Sequence, residues 1–421
     1  MIREISATEA FQWREQFARS EGFCFLDSSL RESLWGRYSL VSASPVDRME
    51  GDISDISKIE VALAQFARGG ERDLPFPVGA LIGSIDYEGG FTFGVYPWAV
   101  ITDHHLEKNW FVGPEPVLRP RGSQNTQHDP VPDGKWTSSF SPCEYEAGVR
   151  RIHEYIRAGD IYQVNLCQRF SRPWDGSNLR ELYQNLREIS PASFSGFLDQ
   201  GSRQILSSSP ELFLKMSGRH CLTRPIKGTR PRFADAIRDE QSAFELIRSE
   251  KDLAELIMIT DLERNDLGQF CEHGSVKVTD LVKLEKFAQV FHLVSTVEGI
   301  ATHTVSQPRA LQFIFPGGSI TGAPKKRAME IIRELESTPR GLYTGAIGYF
   351  GFNGESAFNI AIRSLVYEKG MLHFGVGAGI TIDSDPEREY EETLHKAKGM
   401  MIACERTLGS GVPDRQKEHI L

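Results

Sequence analysis

Long apolar runs and patterned cysteines are both missing from this sequence. No stretch approaches the roughly 20 consecutive apolar residues that a membrane-spanning helix requires. The N-terminal MIREISATEA lacks the basic-then-apolar pattern of a signal peptide. The six cysteines contain no C-x-x-C pair and follow no regular spacing, which disfavours a zinc site and a disulfide framework. These absences predict a cytoplasmic protein in a reducing compartment that does not bind a membrane.

Basic residues are also fewer than acidic ones. Lysine and arginine total 48 against 57 aspartates and glutamates, which gives a formal net charge of −9. Because no basic stripe dominates any region, a nucleic-acid-binding protein is not expected. An anionic small-molecule substrate is compatible with this balance, since a local cationic pocket or a bound metal can override the global charge.

What the chain does have is length and a change of pattern along it. At 421 residues it exceeds the usual size of one core, so two domains or one large two-part domain are expected. Residues 114–142, rich in Pro, Gly, Ser and Asn, mark the predicted boundary. Short apolar runs before it predict antiparallel strands. After it, helices are predicted at 144–158, 251–267, 325–335 and 386–407, and the strands occur in clusters rather than alternating strictly with these helices. This order favours an α+β fold.

The segment TRPIKGT, residues 223–229, places one lysine in what the composition indicates is a turn. Pro225 fixes a backbone angle and Gly228 lets the main chain approach a ligand, and the two residues bracket Lys227. A lysine held this way can act as a nucleophile if burial or the neighbouring cations Arg224 and Arg230 lower its pKa. A surface lysine in a Pro/Gly turn is the simpler interpretation of the segment taken alone.

Carboxylates suited to a metal lie on the last predicted helix. Glu389, Glu392 and His395 follow one another at i, i+3 and i+6, so the two carboxylates share one face. Such a run is usually a solvated acidic face. The alternative is a hard cation such as Mg²⁺, with Glu255 of the 251–267 helix as a third ligand if the two helices face each other.

Two further patterns suit a carboxylate substrate and its chemistry. Glu211 ends the run SSSPE, where desolvation would make it a general acid, and a helix-start glutamate is the alternative. The glycine-rich stretches GSITGAPK (318–325) and GVGAG (375–379) lack the spacings of a P-loop and of a dinucleotide-binding loop. Their backbone N–H groups suit a carboxylate instead.

Ordered sequence blocks cover residues 143–405, among them GDIYQVNLCQRF, SSSPELFL, TRPIKGTRP, KDLAELIMITDLERNDLG and GVGAGITIDSDPEREYEETLHKAKGM. The set resembles the chorismate-utilising enzymes, a family that includes anthranilate synthase component I, aminodeoxychorismate synthase component I and the isochorismate and salicylate synthases. The resemblance implies an α+β fold with a large two-part antiparallel β-sheet core surrounded by helices. It divides the chain into an N-terminal region 1–113, a linker 114–142, a chorismate-binding catalytic domain 143–405 and a C-terminal tail 406–421.

Two positions separate the branches of this family. Its isochorismate- and salicylate-forming members have a water-activating lysine where this chain has Gln163 in YQVN, so the resemblance implies ammonia as the nucleophile. Anthranilate synthases typically have PIAGT where this chain has PIKGT, and the lysine is similar to the aminodeoxychorismate synthase branch. Anthranilate synthase component I is the alternative. A non-catalytic paralogue that binds chorismate or an amidotransferase is a second alternative. Such a protein would be expected to have lost the acid or the metal-binding residues, which this chain retains.

The resemblance also implies a mechanism. Mg²⁺, held by Glu255, Glu389 and Glu392, would bind the ring carboxylate of chorismate and draw off electron density. Glu211 would protonate the leaving hydroxyl, and Lys227 would add to the ring in an allylic displacement that gives a covalent intermediate. Ammonia would then enter where the hydroxyl had been and expel the lysine.

The same match assigns the substrate contacts. Tyr343, Arg363 and Lys396 would hold the enolpyruvyl or the ring carboxylate, assisted by the N–H groups around Gly377 and Gly379. The match further implies pocket hydroxyls and one polar positioning side chain near the ring, namely Ser319, Thr321 and His292.

Ammonia needs a source, and no Gly-x-Cys-x-Gly nucleophile elbow is present in this sequence. A separate glutamine amidotransferase subunit is therefore implied, with free ammonia as a poorer substitute. The N-terminal region of the family can also hold tryptophan. FLDSS, residues 25–29, resembles that motif only loosely, so tryptophan as a ligand stays open.

Overall fold

The structure of the chain, a computed structural model, describes residues 1–30, 35–67, 74–121, 134–287 and 290–409. Within these ranges helices surround two large antiparallel β-sheets, which confirms the predicted α+β fold. The helices are α1 (Ala7–Ala18), α2 (Ser57–Phe66), α3 (Pro142–Arg157), α4 (Leu179–Ile189), α5 (Ala236–Ile247), α6 (Glu250–Gly268), α7 (Gln307–Ile314), α8 (Lys325–Leu335) and α9 (Pro386–Thr407). In the described part of the chain, no helix combines the length and apolar character that crossing a membrane requires.

The strands before the predicted boundary are β1 (Ile2–Ile5), β2 (Cys24–Asp27), β3 (Tyr38–Ser42), β4 (Asp47–Asp52), β5 (Ala80–Ile85), β6 (Gly90–Tyr96), β7 (Ala99–Asp103) and β8 (Lys108–Val112). Those after it are β9 (Thr137–Ser138), β10 (Gln163–Pro173), β11 (Phe194–Asp199), β12 (Arg203–Ser209), β13 (Leu212–Ser217), β14 (His220–Arg224), β15 (Ile226–Pro231), β16 (Lys277–Lys286), β17 (Val290–Ile300), β18 (Gly322–Ala323), β19 (Ala346–Gly351), β20 (Glu355–Ile360), β21 (Ser364–Glu368) and β22 (Met371–Ile380).

Both sheets are assembled from antiparallel ladders. Among the described residues the first sheet has 12 strands in the order β1-β8-β7-β3-β2-β11-β12-β21-β22-β10-β18, with β9 paired to β10. The second has 10 strands in the order β15-β17-β14-β13-β20-β19-β5-β6-β4, with β16 paired to β17. The many hairpin-like connections explain why short apolar runs punctuated by turns dominate the sequence.

Side-chain caps fix where the main helices begin. The Ser141 hydroxyl accepts a hydrogen bond from the Glu144 N–H, and the Glu144 carboxylate accepts one from the Ser141 N–H at 2.8 Å, a reciprocal pair that starts α3. Asp385 accepts from the N–H of Arg388 at 3.0 Å and starts α9. A cap of this kind stabilises a helix by about 1 kcal/mol. The four helices predicted after the boundary are confirmed to within two residues.

Aromatic side chains fill the core of the second sheet. The rings of Phe350 and Phe358, on neighbouring strands, have centroids 4.7 Å apart, and Phe93 of β6 lies 5.8 Å from Phe350. Each such pair contributes about 0.5–1.5 kcal/mol beyond the area it buries. The first sheet is covered by α4 and α9, which pack against each other and bury Leu182 and Leu186.

Each sheet contains strands from both sides of the predicted boundary. Strand β2 pairs with β11, so that Phe25 lies opposite Phe197, and β5 pairs with β19, so that Ile85 lies opposite Ala346. The division into an N-terminal region, linker and catalytic domain stays a prediction. Residues 122–133 of the linker and 410–421 of the C-terminal tail lie outside the described residues.

Candidate active site

Two adjacent strands of the first sheet, β10 and β22, form one wall of the site. In their antiparallel register Asn165 lies opposite Gly379. A Cβ atom on Gly379 would stand 2.7 Å from Nε2 of Gln163, and one on Gly377 would stand 2.6 Å from Oδ1 of Asn165. Glycine is required at both positions because the polar side chains of β10 lie across the backbone of β22.

Those two polar side chains are left with hydrogen-bonding capacity. Within the described ranges, Nε2 of Gln163 and Oδ1 of Asn165 are buried and have no hydrogen-bond partner. The Gln163 amide is close enough to Glu255 to lower the pKa of that carboxyl, although no hydrogen bond of good geometry joins the two groups. Buried polar atoms are normally paired, so these two are available to a ligand. The sequence indicated Gln163, but Asn165 was missed, although it is the next residue on the same face of the strand.

Lys227 lies on a strand, which corrects the turn predicted for TRPIKGT. Strand β15 pairs with β17, and the register shifts between Lys227 and Thr229. Gly228 forms this bulge with a φ of +69°, a conformation that suits glycine. A Cβ on Gly228 would also stand 2.8 Å from Leu246 of α5, so the glycine allows close packing of the strand against the helix. The prediction was wrong because strand pairing depends on β17, which is distant in the sequence.

The Lys227 amino group lies close to Ser319 and to helix α6. Its Nζ donates to the carbonyl of Ser319 at 3.4 Å and stands 3.9 Å from Oε2 of Glu255. The two neighbouring arginines have partners of their own: Arg224 pairs with Glu285, and Arg230 stands 3.5 Å from Asp252. The lysine side chain is mostly buried, which disfavours the surface-lysine interpretation.

Glu211 follows Pro210 in the connection between β12 and β13, where no helix begins. The helix-start interpretation of this residue is therefore wrong. Its side chain is 6% exposed, and burial raises its pKa, against the hydrogen bond from Ser319 and the charge of Lys227, which lower it. A carboxyl group with a raised pKa beside the lysine can serve as a general acid.

The three carboxylates predicted to hold a metal, those of Glu255, Glu389 and Glu392, all lie near Lys251. Oε1 of Glu389, a side chain that is 4% exposed, accepts from Nζ of Lys251 at 3.1 Å and from the Ser384 hydroxyl at 2.7 Å. Burial raises the pKa of Glu255 above its ordinary value, although Lys227 and Lys251 oppose this. Helices α6 and α9 therefore face each other through Lys251, as the metal hypothesis required.

Glu392 completes this group. Its Oε1 stands 2.7 Å from Nζ of Lys396, which also donates to the Gly377 carbonyl at 2.9 Å. Burial favours the neutral form of Glu392, but Lys396 and then Lys251 outweigh it and hold its pKa below the ordinary value. Lys396 thus joins α9 to β22 at the wall of the site.

The side chain of Lys251 places a positive charge near the three carboxylates, where the metal hypothesis places a cation. Burial works to lower its pKa, but Glu389, Glu255 and Glu392 attract its charge and raise the pKa overall. Carboxylate oxygens are the ligands that Mg²⁺ prefers, so the chemistry of the donor set fits this ion. Among the described residues, no three His, Cys, Asp or Glu side chains converge closely enough to enclose a metal by themselves. Lys251 had no role in the sequence analysis, although it precedes Glu255 by one helical turn.

Arg363 is a half-buried cation without a carboxylate partner among the described residues. It adopts a positive φ of +49°, which is uncommon for a residue with a side chain. Its Nη1 donates to the Ser190 hydroxyl at 3.3 Å, and burial lowers its pKa. A guanidinium group in this situation suits a ligand carboxylate.

His292 of β17 is 4% exposed and is near enough to Arg363 to be influenced by its charge. Burial, and then the charge of Arg363, lower its pKa to about 4. Its Nδ1 is 2.9 Å from the Thr229 hydroxyl. The imidazole is therefore neutral at physiological pH and held in one orientation, which suits a positioning role.

The remaining predicted residues surround this centre in different ways. The ring of Tyr343 covers Gly375 of β22, and burial raises its pKa well above the ordinary value. Ser319 contributes both its hydroxyl, to Glu211, and its carbonyl, to Lys227. The Thr321 hydroxyl donates to the Gly317 carbonyl at 2.9 Å and so stabilises its own loop. Its predicted contact with substrate has no support from this geometry and stays a prediction.

The chain is similar in sequence to proteins with known names. Anthranilate synthase component 1 of Thermus thermophilus is 45% identical over 271 residues, which cover 64% of this chain and 58% of that protein. Aminodeoxychorismate synthase component 1 of Bacillus subtilis is 43% identical over 276 residues, covering 66% of this chain and 58% of that protein. The matched part thus spans less than two thirds of either relative.

A solved structure extends the match to the fold. Anthranilate synthase component I from Streptococcus pneumoniae TIGR4 superposes with a TM-score of 0.74 at 29% identity, covering 86% of this chain and 92% of that one. The model of a family described as chorismate binding enzyme matches residues 90–402, about three quarters of the sequence. The chain belongs to the chorismate binding enzyme family.

Proposed function

We propose that this protein is an aminodeoxychorismate synthase component I, which converts chorismate and ammonia to 4-amino-4-deoxychorismate for 4-aminobenzoate and folate synthesis. The observation that carries the proposal is the mostly buried Lys227 amino group, 3.9 Å from Glu255 and hydrogen-bonded to the Ser319 carbonyl, beside the acid Glu211. A nucleophile and an acid within one cleft are what an amination through a covalent intermediate needs.

The first half of the reaction joins the lysine to the ring. As a nucleophile Lys227 reacts in its free-amine form, and its nitrogen forms a C–N bond in an allylic displacement while the C–O bond to the ring hydroxyl breaks. Glu211 gives its proton to the departing oxygen, which leaves as water, and becomes a carboxylate. The lysine nitrogen, now bonded to the ring, carries the positive charge.

In the second half of the reaction ammonia is the nucleophile and Lys227 is the leaving group. Ammonia forms a C–N bond at the carbon that bore the hydroxyl, and the bond to Lys227 breaks, which regenerates the neutral amine. The new ring ammonium group then returns one proton to Glu211. Chorismate and ammonia have given 4-amino-4-deoxychorismate and water, and both protein groups are restored.

The chain's own residues would hold the substrate during these steps. The guanidinium of Arg363, which has no carboxylate partner among the described residues, is suited to one carboxylate of chorismate. Lys396 and the N–H groups near Gly377 and Gly379 are suited to the other. Tyr343 and the neutral His292 would fix the ring between them.

A magnesium ion would be held by Glu255, Glu389 and Glu392. When bound, it would supply Lewis-acid polarisation of the ring carboxylate. Lys251 lies close to all three carboxylates and offsets part of their negative charge. Ammonia would be delivered by a separate glutamine amidotransferase, and the enzyme would work in the cytoplasm.

Product identification tests the proposal. Purified protein is incubated with chorismate, MgCl₂ and ammonium at mildly alkaline pH. The products are separated by chromatography and identified by mass spectrometry. We expect 4-amino-4-deoxychorismate, which an added lyase converts to 4-aminobenzoate. Anthranilate as the main product would contradict the proposal.

Anthranilate synthase component I is the second candidate. It is supported by the Thermus thermophilus relative, which is as similar as the Bacillus subtilis one. Lys227 favours the first candidate because an anthranilate-forming reaction does not require a lysine nucleophile. Loss of chorismate without any aminated product would contradict both candidates.

A further inference from the structure

A buried arginine in the connection between α8 and β19 has no part in the proposed mechanism. Arg340 is 5% exposed, and its partner Glu336 is the residue that ends α8. Nε and Nη2 of Arg340 donate to the two carboxylate oxygens of Glu336 at 2.9 and 2.7 Å. A bidentate pair of this kind fixes the plane and the direction of the guanidinium group.

The three other N–H donors of Arg340 hold three other groups. Nη2 donates to the Asn165 carbonyl of β10 at 2.7 Å. Nη1 donates to the Ile320 carbonyl at 3.0 Å and to the Thr344 hydroxyl at 3.2 Å. All five donors of the guanidinium group are therefore used. A lysine, with three donors and no planar fork, cannot reproduce this set of contacts.

At β10 the arginine completes the support of the site wall. The N–H of Asn165 donates to the Thr321 carbonyl at 2.8 Å, and its carbonyl accepts from the guanidinium group. Two residues along the strand, the N–H of Cys167 donates to Glu336 at 2.9 Å. The backbone held in this way carries Gln163 and Asn165, the two buried amides that lack a complete set of partners within the described ranges.

On its other side the same arginine holds the turn next to Lys227. Ile320 ends a short 3-10 turn and directly follows Ser319. The Ser319 carbonyl accepts from Nζ of Lys227 at 3.4 Å, and the next carbonyl, that of Ile320, accepts from Arg340. One guanidinium group therefore connects the turn that binds the lysine with the strand that carries Gln163.

We propose that Arg340 is a positioning residue that fixes the β10 wall relative to Lys227, so that ammonia held at this wall reaches the ring bound to the lysine. The proposal rests on the proposed function, in which ammonia displaces Lys227 from a covalent intermediate. Arg340 forms no bond to a reacting atom in that scheme, and it acts through the carbonyl groups of Asn165 and Ile320.

The size of the effect follows from the contacts that remain without the arginine. The pairing of β10 with β18 and the hydrogen bond from Asn165 to Thr321 still join the wall to the turn. Loss of Arg340 should therefore shift the wall without detaching it. A misplacement of about 1 Å can slow a reaction about a hundredfold, so we expect a smaller, roughly tenfold effect.

The Arg340→Lys variant tests the proposal, because it keeps the positive charge beside Glu336 and removes the fork. Without ammonium, the covalent adduct should form at close to the wild-type rate, since Lys227 keeps its contact with Ser319. With ammonium, amination of the adduct and kcat/KM for ammonium should both fall about tenfold. Rapid acid quenching with mass spectrometry measures the first step, and steady-state rates at varied ammonium measure the second.

The matched control is Arg172→Lys. Arg172 is another buried arginine paired with a glutamate, and it lies towards the far end of β10, where Nη1 stands 3.0 Å from Glu405. This variant should unfold at a lower urea concentration than the wild type but keep both rates. A selective loss of amination in Arg340→Lys alone would thus separate positioning from general stability.

Glu336→Gln provides a second test that keeps Arg340 itself. Glutamine has the size of glutamate but one acceptor oxygen fewer, so the guanidinium group loses part of its support. This variant should show the same selective loss of amination to a smaller extent, and it carries the test if Arg340→Lys does not fold.

Three results would overturn the proposal. They are equal slowing of adduct formation and amination, wild-type amination in both variants, and the same selective loss in Arg172→Lys. Failure of the proposed function shows separately, as anthranilate made by the wild type. In that case kcat/KM for ammonium, measured with anthranilate as the product, still decides whether Arg340 positions the wall.

Discussion

At the scale of single residues, one amino group determines the proposed chemistry. Replacing Lys227 with alanine removes the nucleophile but leaves Glu255, Glu211 and the substrate contacts in place. We expect amination to slow at least about tenfold, a barrier increase of about 1.4 kcal/mol or more. Acid-quenched wild-type protein incubated with chorismate should carry a covalent adduct by mass spectrometry, and Lys227→Ala should carry none.

The control for this substitution is Lys326→Ala, which removes an exposed lysine from α8. It should retain both the rate and the adduct. An unchanged amination rate in Lys227→Ala would remove this lysine from the mechanism.

His292 makes the folding stability of the protein depend on pH. Its pKa is about 4 in the folded protein, against 6.5 as the ordinary value. Between these values the unfolded chain binds a proton that the folded protein excludes, so folding stability is lost as pH falls from 6.5 towards 4. From pH 7 to 5 the loss amounts to about 2 kcal/mol.

Urea unfolding at both pH values measures this effect. His292→Gln should lose about 2 kcal/mol less than the wild type between pH 7 and 5. The exposed His303 provides the control, since His303→Gln should follow the wild type. Parallel losses in all three proteins would show that His292 is not held neutral.

At the scale of secondary-structure elements, β22 forms a wall made of backbone. Gly379→Ala would place a methyl group 2.7 Å from Nε2 of Gln163, and that side chain would have to move into the pocket. We expect KM for chorismate to rise about tenfold, a loss of about 1.4 kcal/mol of binding. Steady-state kinetics with varied chorismate provide the measurement.

A second strand glycine is the matched control for this change. A Cβ on Gly90 of β6 meets nothing within 4 Å, so Gly90→Ala should leave KM as it is. Equal effects of the two substitutions would mean that Gly379 matters only for folding.

The pairing of α6 with α9 depends on Lys251. In metal-free buffer Lys251→Ala leaves the buried Glu389 carboxylate with the Ser384 hydroxyl as its one hydrogen-bond donor from the described part of the chain. We expect the free energy of unfolding to fall by about 1 kcal/mol, because the lysine itself is half-exposed. Adding Mg²⁺ should restore most of the loss, as measured by thermal unfolding.

Lys277→Ala, an exposed lysine on β16, is the control and should show no response to Mg²⁺ beyond that of the wild type. A Lys251→Ala protein that stays equally destabilised with and without Mg²⁺ would contradict the assignment of the three glutamates to this ion.

Sequence reasoning succeeded for elements specified by their own residues. Helices α3 and α9 could be predicted because the signals that specify them, apolar spacing and for α9 also a cap and a proline, lie within one short segment. Strand β15 was missed because its bulge at Gly228 exists only through pairing with β17, some 60 residues later in the chain. Lys251 was missed for a similar reason, since its partner Glu389 is on a distant helix.

At the scale of the whole molecule, both sheets cross the predicted domain boundary. Strands β2 and β5 lie before residue 114, and their partners β11 and β19 lie after 142. A fragment comprising 134–421 would therefore expose the edges and apolar faces of two sheets. We expect it to be insoluble or to lack a cooperative unfolding transition by circular dichroism.

Co-expression with residues 1–133 is the control for this experiment and should restore soluble protein. A fragment that unfolds cooperatively and consumes chorismate alone would show that the catalytic part is an independent domain, as the sequence division at 114–142 suggested.

The glycines of β22 have a consequence for how such a site diverges. Positions 377 and 379 cannot accept larger side chains without filling the space used by Gln163 and Asn165. We therefore expect the residues of this wall to vary among homologues on β10 and not on β22. New substrate or nucleophile preferences in this lineage should arise by exchange of residues 163 and 165 on β10, while β22 drifts only on its other face.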